Sequence, residues 1–204
     1  MLLDEIKLPV QQRSQKRLEQ VLAVTKKILE NEGIAACSIP EIALRANVPK
    51  VYIYQYFPTL NHLFMLLVKG YLEDLKQQIK TKSQSYSNSS IYHIMQDLIT
   101  STAEFYNQNR VASLLILGGP VHVEGFDLQE MVIEQMSEDI INMPAHHPSP
   151  LILEKPEHML YLIEMIFALM KHSFYKYQTI IDDVLQESVN LCDLYLQNKG
   201  HNIH

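Results

Sequence analysis

The chain has 204 residues, 47% of them apolar, and a formal net charge of −6. That is enough apolar mass to bury a core in one or two domains, and the acidic balance excludes a uniformly basic nucleic-acid binder. No segment supplies the ~20 mostly apolar residues of a membrane helix; the longest apolar run, Val111–Val121, is cut by Gly118, Gly119 and Pro120. The N-terminus mixes acids with its apolar residues and carries no cleavable signal pattern. Cys37 and Cys192 lie far apart and suit neither a disulfide scaffold nor a zinc site, so a cytoplasmic protein is expected. Charge is unevenly spread. Residues 1–57 carry eight cations and six acids (+2), and the remainder nine cations and seventeen acids (−8). A mildly basic head on an acidic body can meet a polyanion through the head; uneven charge without functional meaning fits the same numbers.

Helical periodicity dominates. Leu18, Val21, Leu22, Thr25, Ile28 and Leu29 recur at steps of three and four, which predicts a first helix with Ser14 as N-cap and Gly33 just past its end. Ser38-Ile39-Pro40-Glu41 is a capping box that opens a second, short helix with Ile39, Ile42, Ala43 and Ala46 inward. Asn47 stands at the turn, because Asn accepts the left-handed conformation. Pro49 starts a third helix, Lys50 to about Tyr56, which Phe57-Pro58 ends. Thr59 caps a long fourth helix to about Lys80, and Thr81–Ser90 reads as a loop. Further helices are expected at Ile91–Asn109, Val111–Leu117, Asp127–Ile141, Pro156 to about Lys176 and Ile181–Gln197, with a proline-rich loop at Asn142–Pro150. No strand is needed. The expected fold is all-α: a three-helix head, residues 10–58, joined to a larger helical bundle, 59–204.

Two short helices around a tight turn have helix-turn-helix spacing, in which the second helix enters the DNA major groove. Such a helix needs a buried side, here Val48, Ile53 and Phe57, and an outer arc, here Lys50, Val51, Tyr52, Tyr54, Gln55 and Tyr56. Lysine meets phosphate or guanine, glutamine pairs adenine, and tyrosine donates to phosphate. A short linker packed by aromatics is the alternative on these residues alone.

The arrangement resembles the TetR family of transcriptional regulators. The matching residues are Gly33, Ser38, Ile42-Ala43, Ala46-Asn47-Val48, Tyr54-Gln55-Tyr56-Phe57 and Thr59, within about residues 14–68. The chain departs from the family pattern at Asn47 (usually glycine), Pro49 (often serine), Leu60 (often a phosphate-contacting lysine) and Cys37 (commonly threonine). The resemblance implies DNA contacts by Ser38, Lys50, Val51, Tyr52, Tyr54, Gln55 and Tyr56. Arg13, Lys16 and Arg17, at the start of the first helix, are candidate backbone contacts.

It also implies a bundle that dimerises and holds an effector. The last two helices are the natural two-fold interface, with Leu160, Ile163, Phe167 and Met170 on one and Val184, Leu185, Val189, Cys192 and Leu196 on the other. A purely intramolecular core explains those stripes equally well. Pocket candidates are Met95, Phe105, Tyr106, Leu114, Leu117, His122, Phe126, Met131 and Met165, for an apolar or aromatic effector; ordinary core is the alternative for each.

No metal is expected, because His146-His147 and Glu154 lack a second pair at ligand spacing. Gly118-Gly119-Pro120 lacks the Lys-Ser/Thr of a phosphate loop. No nucleophile elbow, His-Glu-x-x-His or paired-carboxylate pattern is present, so neither a catalytic set nor a cofactor is nominated. The leading expectation is a ligand-responsive repressor that binds a palindromic DNA operator as a homodimer, not an enzyme and not at a membrane. A helical enzyme or small-molecule carrier is the alternative.

Overall fold

The structure, a computed structural model, describes residues 8–83, 86, 89–118, 130, 133–134, 136–141 and 151–201. Its helices are α1 Gln12–Glu32, α2 Ile39–Arg45, α3 Lys50–Tyr56, α4 Leu60–Ser83, α5 Ile91–Gln108, α6 Arg110–Ala112, α7 Glu157–Tyr177 and α8 Asp182–Lys199. The helix α6 runs on in π-helical form through Ser113–Leu117, and residues 136–141 are also helical. The fold is all-α, as the periodicity predicts. One departure is a two-residue antiparallel pairing, Ile152 with His201 and Leu153 with Gly200. Among the described residues no helix is long and apolar enough to cross a membrane.

The chain packs as two compact units. The head holds the described residues up to Tyr71 together with 110–118; the body holds Leu72–Asn109 and the described residues after 127. The packing boundary therefore falls inside α4, not at the expected 58/59. The reason is that Leu63, Phe64 and Leu67 of α4, with Val111 and Leu115, are buried in one cluster with α1–α3.

Within the head, α1 buries Leu18, Val21, Thr25, Ile28 and Leu29, the stripe its spacing sets. It begins at Gln12, so Ser14 lies inside the first turn and the N-cap is Gln11, without a side-chain cap. Gly33 closes the helix at φ +84°, a conformation side-chain-bearing residues avoid, and donates to the Ile28 and Leu29 carbonyls. Ser38 caps α2 by accepting from the Glu41 amide at 3.3 Å. The Glu41 carboxylate turns forward to Arg45 Nε at 2.6 Å instead of back to the cap.

The turn after α2 is a Schellman closure. Asn47 sits at φ +52°; its amide donates to the Leu44 carbonyl at 3.2 Å and that of Val48 to Ala43 at 3.0 Å. Val48 and Ala43 are both buried beneath it. Pro49 then precedes α3 at φ −62°, a value its ring imposes. At the start of α4, buried His62 accepts from the Thr59 amide through Nδ1 at 3.3 Å. His62 thus fills the place that Glu or Gln takes in a capping box. Leu60 packs, half-buried, against the head core.

The head also includes α6. Arg110 Nε donates to the Glu30 carbonyl at 3.2 Å. The π-turn closes with the Gly118 amide on the Ser113 carbonyl at 2.9 Å. A Cβ on Gly118 would lie 2.4 Å from the Leu114 carbonyl oxygen, so this close approach requires glycine.

In the body, α7 and α8 pack on each other and α8 on α5. Asn107 clasps the α7–α8 turn: its Oδ1 accepts from the Ile180 amide (2.8 Å) and the Thr179 hydroxyl (2.9 Å), and its Nδ2 donates to the Ile180 carbonyl (2.9 Å). Lys82 at the end of α4 donates to Asp97 (3.2 Å) and Ser101 (2.5 Å) of α5. Tyr86 donates to Asp97 as well, and burial, with that bond second, pushes its hydroxyl pKa well up. Thr81–Ser83 continue α4, so the polar tract expected as loop is helical at its start.

Candidate nucleic-acid interface

The helix α3 has two distinct faces. Lys50, Val51, Tyr54 and Gln55 are exposed, whereas Tyr52 and Ile53 are buried and Tyr56 is half-buried against the head core. At the α-helical repeat the exposed four share an arc of about 140°. The expected anchors Val48, Ile53 and Phe57 are all buried, Phe57 at 1% exposure.

Tyr52 is the correction. At 9% exposure it belongs to the core and not to the outer arc. Its hydroxyl donates to the Ser14 carbonyl of α1, its ring meets Tyr56 edge-on at 5.2 Å, and the Arg17 guanidinium lies 5.8 Å above it. Desolvation, and then the neighbouring Tyr56, raise its pKa. Tyr52 therefore ties α3 to α1 instead of lining the outer arc. Tyr56 is likewise mostly engaged in packing. The signal was in the sequence: Val48, Tyr52 and Tyr56 recur every fourth residue.

Of the other expected contacts, Ser38, Arg13 and Lys16 are exposed and Arg17 is half-buried. Arg45, at the end of α2, is held by Glu41 and by a two-point pair with Glu32, whose second bond is 3.0 Å. The hydrogen bond to Arg45 holds the Glu32 carboxyl below its usual range. These bonds brace α2 against the end of α1.

The effector candidates divide between the units. Met95, Phe105 and Tyr106 are buried in the body, where Tyr106 meets Phe167 at 6.4 Å between ring centres, and Met165 is half-buried. Leu114, half-buried, and Leu117, buried, belong to the head. His122, Phe126 and Met131 lie outside the described residues, as does the His146-His147 loop. A body cleft lined by Tyr92, Met95, Gln96, Val189, Cys192, Asp193 and Leu196 holds about 10 Å³, room for one water.

Five of the expected dimer residues face inward within the chain itself. Phe167, Met170, Val189, Cys192 and Leu196 are buried, consistent with the α7–α8 and α5–α8 packing that absorbs their stripes. Leu160, Ile163, Val184 and Leu185 are half-buried. The large apolar groups that these helices expose are Tyr161, Tyr175, Tyr177 and Leu194.

A closed three-helix head that presents one amphipathic helix places the chain in the helix-turn-helix class of DNA-binding proteins. Residues 21–65 match the family described as bacterial regulatory proteins, tetR family. Solved structures of that fold extend the likeness over the chain. A TetR-family regulator from Streptomyces coelicolor is 19% identical with TM-score 0.63, covering 91% of this chain and 98% of that one. A TetR-family regulator from Mesorhizobium loti is 13% identical with TM-score 0.68, covering 94% and 100%. RolR, solved in complex with resorcinol, is 11% identical with TM-score 0.66, covering 92% and 89%. No curated protein sequence matches the chain. The head thus carries the tetR-family match over residues 21–65, and the chain as a whole shares the fold of these TetR-family structures.

Proposed function

We infer that this chain is a ligand-responsive repressor that binds a palindromic operator as a homodimer and is released by a small apolar or aromatic effector. The observation that carries the reading is the split of α3, with four exposed side chains of mixed chemistry over a fully committed buried face. An aromatic linker packed as core would not leave Val51 78% exposed. Two-fold pairing would place two such helices about one DNA turn apart, ~34 Å. The exposed sides of α7 and α8, with Tyr161 and Leu194, are the surface for that pairing, since their inward stripes are already used. The effector class draws support from the buried aromatic pair Tyr106–Phe167 and from the resorcinol held by RolR. An effector that binds one state of the body better than another shifts the spacing of the heads.

The test is binding of the full chain to duplex DNA from upstream of its own gene, with sedimentation to read the stoichiometry. Two chains per duplex are expected, and Lys50→Ala with Tyr54→Ala should weaken binding at least tenfold with an unchanged melting temperature. If no duplex binds and the double variant melts instead, α3 is packing and the repressor reading fails.

A further inference from the structure

The outward arc of α3 is defined partly by what it lacks. The chain has four arginines, Arg13, Arg17, Arg45 and Arg110, and none is on α3. Arg45 is held by Glu32 and Glu41, Arg110 donates to the Glu30 carbonyl, and Arg17 lies over Tyr52. Arginine is the side chain whose planar fork pairs both guanine acceptors in the major groove. On the arc itself stand Lys50, Val51, Tyr54 and Gln55.

Val51 contributes little to the head, since the residue is 78% exposed and a β-branched residue is a modest helix former. Its methyl groups match the C5-methyl of thymine. The Gln55 amide presents a donor and an acceptor side by side, the complement of adenine N7 and N6. One helical turn separates the two, about 6 Å along the axis. That is less than two base-pair steps of ~3.4 Å.

We propose that α3 reads its half-site as A·T pairs, thymine against Val51 and adenine against Gln55 within two steps of each other. This rests on the DNA-binding reading above and goes beyond it by naming the bases. The exposure of both side chains means that neither is needed for the fold, so their substitution changes reading and not stability.

The experiment is enrichment of duplexes from a random pool by the full chain, followed by two base-specific substitutions. The enriched half-site should carry adenine and thymine within two steps. Gln55→Ala should lower the preference for that adenine by about tenfold, the scale of one bidentate base contact. Replacing the thymine by uracil removes only the methyl group. It should weaken the native chain severalfold and leave Val51→Ala unaffected. Thermal melting of both variants should match the native chain. Guanine or cytosine at the positions governed by residues 51 and 55 overturns the proposal alone, as does a native chain indifferent to uracil. Enrichment of no duplex at all overturns the DNA-binding reading and this proposal together.

Discussion

At the scale of single residues, the tyrosines of α3 show how one side chain can face two ways. Tyrosine carries a large apolar ring and a polar tip, so its place in a sequence suits a core or a contact surface. Tyr52 resolves toward the core because α1 offers an acceptor for its hydroxyl, the Ser14 carbonyl. Tyr54, two positions on, is 48% exposed and is not part of the head's buried cluster. Tyr52→Phe should cost about 1 kcal/mol, the net worth of one intramolecular hydrogen bond. Tyr52→Ala should cost ~3–5 kcal/mol through the lost ring and its cavity, and Tyr54→Ala no more than ~0.5 kcal/mol. Urea unfolding followed by circular dichroism checks the order. If Tyr54→Ala were the costlier of the two alanine variants, the assignment of faces would be reversed.

At the scale of elements, the sequence is most legible where backbone geometry restricts which residues fit. Gly33, Ser38, Asn47, Pro49 and Phe57-Pro58 each mark a boundary, and the structure puts a helix end or start at every one. Asn47 shows the mechanism. At φ +52° most side chains crowd the following carbonyl, whereas Asn tolerates the geometry and glycine has no Cβ to clash. Asn47→Ala should therefore destabilise by about 1 kcal/mol and Asn47→Gly by no more than a few tenths, read from the shift in denaturation midpoint. Equal cost for both would mean that the Asn side chain itself, and not the backbone, holds the turn. What the sequence hid has a different physical origin. A His at the third position of α4 does a carboxylate's capping work, which composition rules do not anticipate. The apolar stripes of α7 and α8 state that a face is buried but not by what, and here the partners lie within the chain. Tyr52 was hidden only by its hydroxyl, since its spacing already placed it inward.

At the scale of the whole molecule, charge sets the conditions under which the head can meet DNA. A formal −6 overall, with the excess acid beyond residue 57, means that attraction must come from a few cations near α3. Arg45 is committed to Glu32 and Glu41, and Leu60 packs on the head where a lysine would have reached outward. Arg13, Lys16 and Lys50 remain as exposed cations of the proposed surface. If each neutralises one phosphate, a dimer makes about six contacts, and the log of affinity should fall against the log of salt with slope about −5. A single chain on DNA would give about half of that. Lys50→Ala removes one contact per chain and should flatten the dimer's slope by about 2 while weakening unrelated duplexes as well. Gln55→Ala should leave the slope unchanged, because an amide displaces no counterion. Fluorescence anisotropy between about 50 and 200 mM salt separates these outcomes, a window in which a six-contact complex loses about a thousandfold in affinity. A slope that Lys50→Ala does not change would place the phosphate strand elsewhere on the head, away from the N-terminal turn of α3.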